Sequence, residues 1–287
     1  MNAKTPPGNL YIVATPIGNM DDITLRALKV LGKVQVVAAE DTRNTARLLS
    51  HHGIGAPLVS CHEHNEDDRA AGLLARLSAG EDVALVSDAG TPTLSDPGYR
   101  LVRMAADSGI KVIPIPGPSA AVSALSASGL PTDSFVFVGF LPRKRGKRAE
   151  ALAALKDQPR TLIFYESPRR MLALIAAAAE VMGDREAVLC RELTKVHEEF
   201  IRGRLSEILK TLRARGDIKG ECTFLVSGCG KAAAPPPETL RREIEAALAA
   251  PGSRPSELSR RLAEQYGVSK NIIYKEVVKI KERKEKA

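Results

Sequence analysis

Cysteine and aromatic residues are scarce in this sequence. Its 287 residues include 4 cysteines, and aromatic residues make up 4% of the chain without a single tryptophan. The cysteines (Cys61, Cys190, Cys222 and Cys229) show no C-x-x-C spacing. This argues against a disulfide framework or a structural zinc site and favours a reducing compartment. So few aromatic rings also argue against RNA binding through extensive base stacking.

Apolar runs are too short for a membrane segment. A bilayer span needs ~18 or more apolar residues, whereas the longest early run, Leu10–Ala14, has five. No positively charged segment leads into a longer apolar stretch, as it would in a secretory signal peptide. We therefore expect a cytoplasmic protein without membrane contact.

Basic residues outnumber acidic ones. The chain has 42 Lys and Arg against 34 Asp and Glu, a formal net charge of +8, which is compatible with a polyanionic partner. Hydrophobic residues at 44% and charged residues at 26% are ordinary for a globular protein. The length exceeds one average domain and predicts two domains with a small appendage.

Strand and helix patterns alternate along the first half of the chain, which predicts a largely parallel sheet covered on both faces. In such sheets ligands bind beyond the carboxyl ends of the strands, so the residues after each strand matter most. The predicted strands are Leu10–Ala14, Val34–Ala39, Val83–Ser87 and Val112–Ile115, and the predicted helices are Ile23–Leu31, Thr42–His51 and Arg69–Leu77.

A second alternating set follows the Gly-Pro interruption near Leu130–Thr132 and predicts another domain of similar style. Its predicted strands are Phe135–Phe140, Thr161–Tyr165, Ala187–Cys190 and Thr223–Ser227, and its predicted helices are Met171–Val181 and Leu205–Leu212. We place an N-terminal α/β domain at 1–129, a second α/β domain at 130–231, a proline-rich linker at 232–237 and a helical domain at 238–287.

The C-terminal region reads as three helices, Glu238–Ala249, Pro255–Gln265 and Lys270–Lys284. Between the last two, Gly267 ends one helix and Ser269 caps the next, a pattern typical of a helix-turn-helix. Lys270, Asn271, Lys275 and Lys279 lie on or near the second of these helices. Two interpretations stay open, a nucleic-acid contact and a packing domain with a solvated basic face.

Four loops after strands are candidates for binding. A-T-P-I-G-N starts at Ala14, E-D-T-R at Glu40, S-D-A-G-T-P-T-L-S-D-P-G at Ser87, and I-P-G-P-S-A at Ile115. The third is longer than the roughly two to six residues usual between a strand and a helix, and its Asp96-Pro97 pair is typical of a helix start. Because no G-x-G-x-x-G and no G-x-x-x-x-G-K-[ST] occurs, the usual dinucleotide and nucleoside-triphosphate loops are poorly supported.

Together with F-Y-E-S-P from Phe164 and R-E-L-T-K from Arg191, these motifs resemble the tetrapyrrole methylase superfamily over nearly the whole chain. More narrowly, they are similar to its branch that 2′-O-methylates a cytidine of small-subunit (16S) ribosomal RNA. The first loop and the G-T-P of the third depart from the corrin and haem relatives, which argues against a tetrapyrrole substrate.

The resemblance implies two α/β/α domains with S-adenosylmethionine, as methyl donor, in the cleft between them, no metal, the small ribosomal subunit as partner, and usually a homodimer. It also implies which residues surround the methyl donor. Carried over position by position, they are Ile17, Asp88, Thr91, Leu94, Ser119, Ala120, Tyr165 and Thr223.

A ribose 2′-hydroxyl is a weak nucleophile, so a side chain should accept its proton. The sequence does not rank the candidates, which are Glu40, Asp41, Asp88, Glu166 and Lys195. Asp41 is equally a candidate helix cap.

Two further motifs have competing interpretations. The basic run Arg143, Lys144, Arg145, Lys147 and Arg148 follows a strand at the proposed cleft and is predicted to hold rRNA phosphates, although charge runs are often plain solvated loops. The segment from His62 to Glu66 resembles a metal-ligand cluster, but no further ligands lie at a recognisable spacing, so we expect a polar loop and no metal.

The leading interpretation is therefore an S-adenosylmethionine-dependent rRNA 2′-O-methyltransferase. One alternative keeps the cofactor and fold but acts on a small tetrapyrrole, and the basic run argues against it. Another is a non-catalytic RNA-binding assembly factor. Titration with S-adenosylmethionine and mapping of methylated riboses separate the three.

Overall fold

The first half of the chain forms an all-parallel sheet. In the computed structural model, which describes residues 6–62, 65–229, 237–248, 255–266 and 270–285, the strand order is β3-β2-β4-β1-β5. β2 and β4 are buried over their whole length, as expected for central strands covered on both faces. The strands are β1 (Leu10–Val13), β2 (Val36–Ala39), β3 (Leu58–Ser60), β4 (Val83–Val86) and β5 (Val112–Ile115).

Helices cover both faces of this sheet. One apolar cluster packs Leu10 and Leu85 against Leu101, and the other packs Val37 and Ile115 on the opposite face. The covering helices are α1 (Leu25–Leu31), α2 (Thr42–His51), α3 (Glu66–Ser78) and α4 (Tyr99–Asp107), and α5 (Ala120–Ser128) follows β5.

The second sheet has the order β6-β7-β10-β8-β9 and is mixed rather than similar in style to the first. β6 and β7 are parallel, whereas β10 runs antiparallel to both β7 and β8, and β9 runs antiparallel to β8. The elements are β6 (Phe135–Phe140), α6 (Arg145–Ala154), β7 (Thr161–Glu166), α7 (Pro168–Met182), β8 (Glu186–Arg191), β9 (Glu199–Arg204), α8 (Leu205–Arg215) and β10 (Cys222–Val226).

Helix α5 joins the two sheets. Its small residues Ala121 and Ala124, together with Leu125, pack in one apolar cluster with Ile163 of β7 and Leu225 of β10. Small side chains let a helix approach a sheet closely, so the carboxyl edge of the first sheet is held beside the second sheet.

The C-terminal helices have a core of their own. α9 (Pro237–Leu248), α10 (Pro255–Tyr266) and α11 (Lys270–Glu285) surround a cluster that includes Ile244 and Val277. Lys275 and Lys279 are exposed on α11. Of the predicted linker 232–237, residues 232–236 lie outside the described residues, and Pro237 begins α9 instead. The turn from 267 to 269 and the side chains of Lys270 and Asn271 also lie outside the described residues. Within the described ranges, no helix combines the length and apolarity that crossing a bilayer requires.

Candidate active site

A cavity of about 420 Å³ lies between the two sheets, a size typical of small-molecule sites. On the side of the first sheet, the loops after β1, β2 and β4 and the start of α5 line it. The end of β7 and the start of β10 line it from the second sheet. It is thus found where parallel α/β sheets bind ligands, beyond the carboxyl ends of the strands.

All eight residues that the resemblance assigned to the methyl donor line this one cavity, and their role remains a prediction. They come from five separate loops and strands, which the fold brings together. They are Ile17, Asp88, Thr91, Leu94, Ser119, Ala120, Tyr165 and Thr223.

The first part of the long loop after β4 is tied to two neighbouring loops. The backbone groups of Thr15 and Gly90 exchange hydrogen bonds of 2.9 and 3.0 Å, and the Thr15 hydroxyl donates to the Ser87 carbonyl at 3.0 Å. The Thr91 hydroxyl donates to the Pro118 carbonyl at 3.2 Å, which ties this loop to the start of α5. The cavity wall is therefore built before any ligand arrives.

The same loop contains strained backbone. Thr93 and Ser95 have φ values of +72° and +69°, in the region that side chains other than glycine rarely adopt. Strain of this kind costs about 1–3 kcal/mol per residue and concentrates at functional sites.

Five carboxylates and no lysine or arginine are found among the described residues lining the cavity. Asp88 is held in place, because its Oδ1 accepts from the Asp41 backbone at 3.0 Å and its Oδ2 from the Asn44 amide at 2.8 Å. The electrostatic character of the cavity favours a cationic ligand. The five are Glu40, Asp88, Asp96, Glu166 and Glu221.

Two of these carboxyl groups hold protons more tightly than usual. Burial, followed by the negative charge of Glu40, raises the pKa of Asp96 to about 6. Burial also raises the pKa of Glu40. A carboxylate with a raised pKa is a better proton acceptor near neutral pH than an ordinary one.

Tyr165 forms an aromatic wall. Its hydroxyl oxygen accepts a hydrogen bond of 3.1 Å from the Ala121 backbone, across the junction of the two sheets. Its ring lies 5.0 Å from that of Phe137 and 5.8 Å from that of Phe140, centre to centre. Burial raises the pKa of the phenol, which keeps it neutral at physiological pH.

Two predicted proton acceptors lie outside the cavity lining. Asp41 caps α2 and pairs with Arg43 at 2.7 Å, and this hydrogen bonding lowers its pKa to about 2. Such a low pKa makes it a poor base. Lys195 pairs with Glu192 at 2.9 Å and with Glu221 at 3.3 Å, and it is not among the lining residues. The remaining candidates Glu40, Asp88 and Glu166 do line the cavity.

The sequence analysis missed Asp96 because Asp-Pro is typical of a helix start. That prediction is wrong: α4 begins at Tyr99 and its N-cap is Gly98, with φ of +118°. Asp96 is thus free to line the cavity.

The basic run is only partly available for an RNA contact. Arg145 begins helix α6 rather than continuing a loop, and Arg143, Lys144, Arg145 and Lys147 are exposed. Arg148 is 8% exposed on the inner face of α6. Its burial does not fit a phosphate contact, because its side chain packs within the second domain.

The segment near His62 is described in part. Glu63 and His64 lie outside the described residues, and the Asn65 side chain accepts from the His62 backbone at 2.8 Å. Among the residues that are described, no three His, Cys, Asp or Glu side chains gather as metal ligands would.

Comparison with known proteins places this geometry in a family. Residues 9–209 match the family model described as Tetrapyrrole (Corrin/Porphyrin) Methylases. The chain belongs to this family.

Curated relatives narrow the comparison. A Micromonospora olivasterospora protein named ribosomal RNA small subunit methyltransferase I is 48% identical, over 94% of this chain and 86% of its own. A protein of that name from Escherichia coli O157:H7 is 47% identical over 96% of each chain. This chain belongs to the same group of proteins.

Solved structures share the fold at lower identity. Uroporphyrin-III C-methyltransferase from Thermus thermophilus, complexed with S-adenyl homocysteine, is 21% identical and covers 77% of this chain and 97% of its own, with a TM-score of 0.55. A diphthine synthase is 17% identical with a TM-score of 0.59, covering 77% of this chain and 90% of its own. These likenesses support the two-domain α/β fold.

Proposed function

We propose that the protein is an S-adenosylmethionine-dependent methyltransferase that modifies the ribose 2′-oxygen of a cytidine in 16S ribosomal RNA. The observation that carries the proposal is the carboxylate-lined cavity between the sheets, in a chain 47–48% identical to ribosomal RNA small subunit methyltransferases I. The specific nucleoside and oxygen follow from the resemblance of its motifs.

The cavity residues fit S-adenosylmethionine. Ala89, Gly90 and Ala120 leave room for a flat ligand because their side chains are small or absent, and the acidic lining offsets the positive charge of a sulfonium. Ile17 and Leu94 provide apolar contacts on the side of the first sheet. When bound, the methyl donor supplies an activated methyl group whose bond to sulfur breaks as the bond to the ribose oxygen forms.

The chain's own contribution is alignment and proton removal. Aligning two reactants supplies about 7–11 kcal/mol in well-oriented intramolecular reactions. We assign the Asp96 carboxylate as the group that accepts the proton of the 2′-hydroxyl. Ser95, its neighbour, lies so close to β6 that a Cβ on Gly139 would be 2.8 Å from the Ser95 hydroxyl oxygen. Asp96 therefore lies where the first domain meets the edge of the second.

The homodimer and the cytoplasmic location are also proposals from the resemblance. An rRNA-modifying enzyme acts where ribosomal subunits are assembled. Size-exclusion chromatography with light scattering tests the dimer directly, because a molar mass near that of one chain would contradict it.

The function is tested with titration and mapping. Isothermal titration with S-adenosylmethionine should give one site per chain, and labelled methyl groups should transfer to small ribosomal subunits. A 2′-O-methyl group protects its own phosphodiester, so alkaline cleavage should show one new gap at a cytidine. Methylation of a base nitrogen or carbon, or of no RNA at all, would refute the assignment.

A further inference from the structure

We infer that a basic groove beside the cavity holds the target nucleotide, with Phe140 stacking on its base and Arg143 and Arg169 binding the flanking phosphates. The inference rests on the proposed function, because it concerns how that function's RNA is held.

The groove adjoins the cavity directly. It has a volume of about 800 Å³ and is lined by residues 140–143 and by the start of α7. Phe140, Glu166 and Ser167 line both spaces. A ribose at this junction would have its base and phosphates in the groove while its 2′-oxygen faces the cavity.

Phe140 is the aromatic residue placed for stacking. It ends β6 after an irregularity at Gly139, whose φ is +70°, and it leaves 57% of its surface exposed. Its ring borders both spaces, 5.8 Å from Tyr165. An exposed ring at this position offers a π-face to an unstacked base, in the way that single-stranded RNA is commonly recognised.

Arg143 and Arg169 are cations without an acidic partner in the part of the chain that the structure describes. Both are exposed and both line the groove. Arg170 is different, because it pairs with buried Glu166 at 2.8 Å and donates to the Leu141 carbonyl at 2.8 Å. The first two arginines are thus free for phosphate, whereas Arg170 holds the wall.

The first turn of α7 strengthens the preference for an anion. This helix of 15 residues begins at Pro168 after Ser167, which makes no side-chain cap, and Ser167, Arg169 and Arg170 at its start line the groove. Helix N-termini favour phosphate. The acidic cavity therefore suits the cationic methyl donor, and the basic groove suits the polyanionic RNA.

The test compares matched variants in a direct RNA-binding assay with an RNA fragment containing the target cytidine. Arg143→Glu and Arg169→Glu should each weaken RNA binding. Each should also make the plot of the logarithm of the RNA association constant against the logarithm of salt concentration less steep, by about 1 in slope. Lys33→Glu and Lys210→Glu are controls, since they make the same kind of charge change at exposed positions outside both the groove and the basic run. They should leave the slope within error of the wild type.

Phe140→Ala should weaken RNA binding by about 5- to 100-fold without changing the salt slope, because stacking is not ionic. Phe140→Tyr should restore most of the affinity. Titration with S-adenosylmethionine checks that each variant keeps its cavity.

Equal losses in the groove variants and the lysine controls would overturn the inference, as would unchanged binding in Phe140→Ala. RNA binding is measured without turnover, so these results are independent of the proposed reaction. A wild type that binds RNA through the groove but methylates no ribose would refute the proposed function alone.

Discussion

Replacing Asp96 with Asn should remove the proton acceptor and leave the cavity standing, because the two side chains have nearly the same shape. General bases contribute typically about 10²–10⁴-fold to a rate. We expect a loss in that range in single-turnover methylation at pH 8 with saturating S-adenosylmethionine. Asp107→Asn, an equal change on the exposed face of α4, should have no effect.

The ionisation of Asp96 sets how strongly the wild-type methylation rate should depend on pH. With a pKa of about 6, roughly a tenth of Asp96 is ionised at pH 5 and nearly all at pH 8. The single-turnover rate should therefore rise about 10-fold over that interval and level off above pH 7. A carboxyl group with the ordinary value of 3.8 would give almost no change over the same interval.

Stability provides a second readout with a defined sign. The native state holds the Asp96 proton more tightly than the unfolded chain, so its contribution to stability falls as pH rises from about 4 to about 6. The difference between 3.8 and about 6 corresponds to about 3 kcal/mol for a fully buried group, and solvent screening at the partly exposed Asp96 lowers this to about 1–2 kcal/mol. Asp96→Asn should thus be more stable than the wild type at pH 8, by up to that amount in urea denaturation, with no gain at pH 4. A flat rate profile together with unchanged activity in the variant would refute the assignment.

Three other substitutions test the fold around the site. Gly18→Ala should weaken S-adenosylmethionine binding in calorimetry, because its Cβ would lie 2.7 Å from the Leu193 carbonyl oxygen. The control is Gly72→Ala, where a Cβ on α3 meets open space. This variant should gain up to about 1 kcal/mol of stability and keep its affinity for S-adenosylmethionine. Phe164→Ala should cost about 3–5 kcal/mol in urea denaturation, since the ring is fully buried against Phe224, and a loss below 1 kcal/mol would contradict that packing. Arg170→Ala should cost about 3 kcal/mol by leaving the Glu166 carboxylate buried without its partner, and Glu166→Gln in the same chain should recover part of the loss.

Strong local patterns made the first sheet predictable. β2 and β4 are continuous apolar runs, and α2 begins and ends as its pattern predicts. β3 has only three residues and β9 carries charged side chains along a sheet edge, so neither has the apolar pattern of a buried strand.

The candidate site was predictable where motifs carried it and not where geometry alone did. The eight residues that the resemblance assigned to the methyl donor share one cavity, whereas Asp41 and Lys195 of the same motifs lie outside its lining. Asp96 gave the misleading signal of a helix start, and Phe140 and Glu221 gave none for the site, because each joins the cavity through long-range packing. The burial of Arg148 likewise depends on α6 turning one face inward, which a run of charges conceals.

The two walls of the cavity differ in how they can change. From the first domain, its residues come from loops, where insertions shift no hydrogen-bonded register. From the second, Tyr165 and Thr223 sit opposite each other in an antiparallel ladder, as do Glu166 and Cys222. One added residue in either strand would turn every following side chain to the other face of the sheet. New specificities can therefore arise by lengthening the loops of the first domain, whereas these strand positions of the second admit only one-for-one replacement.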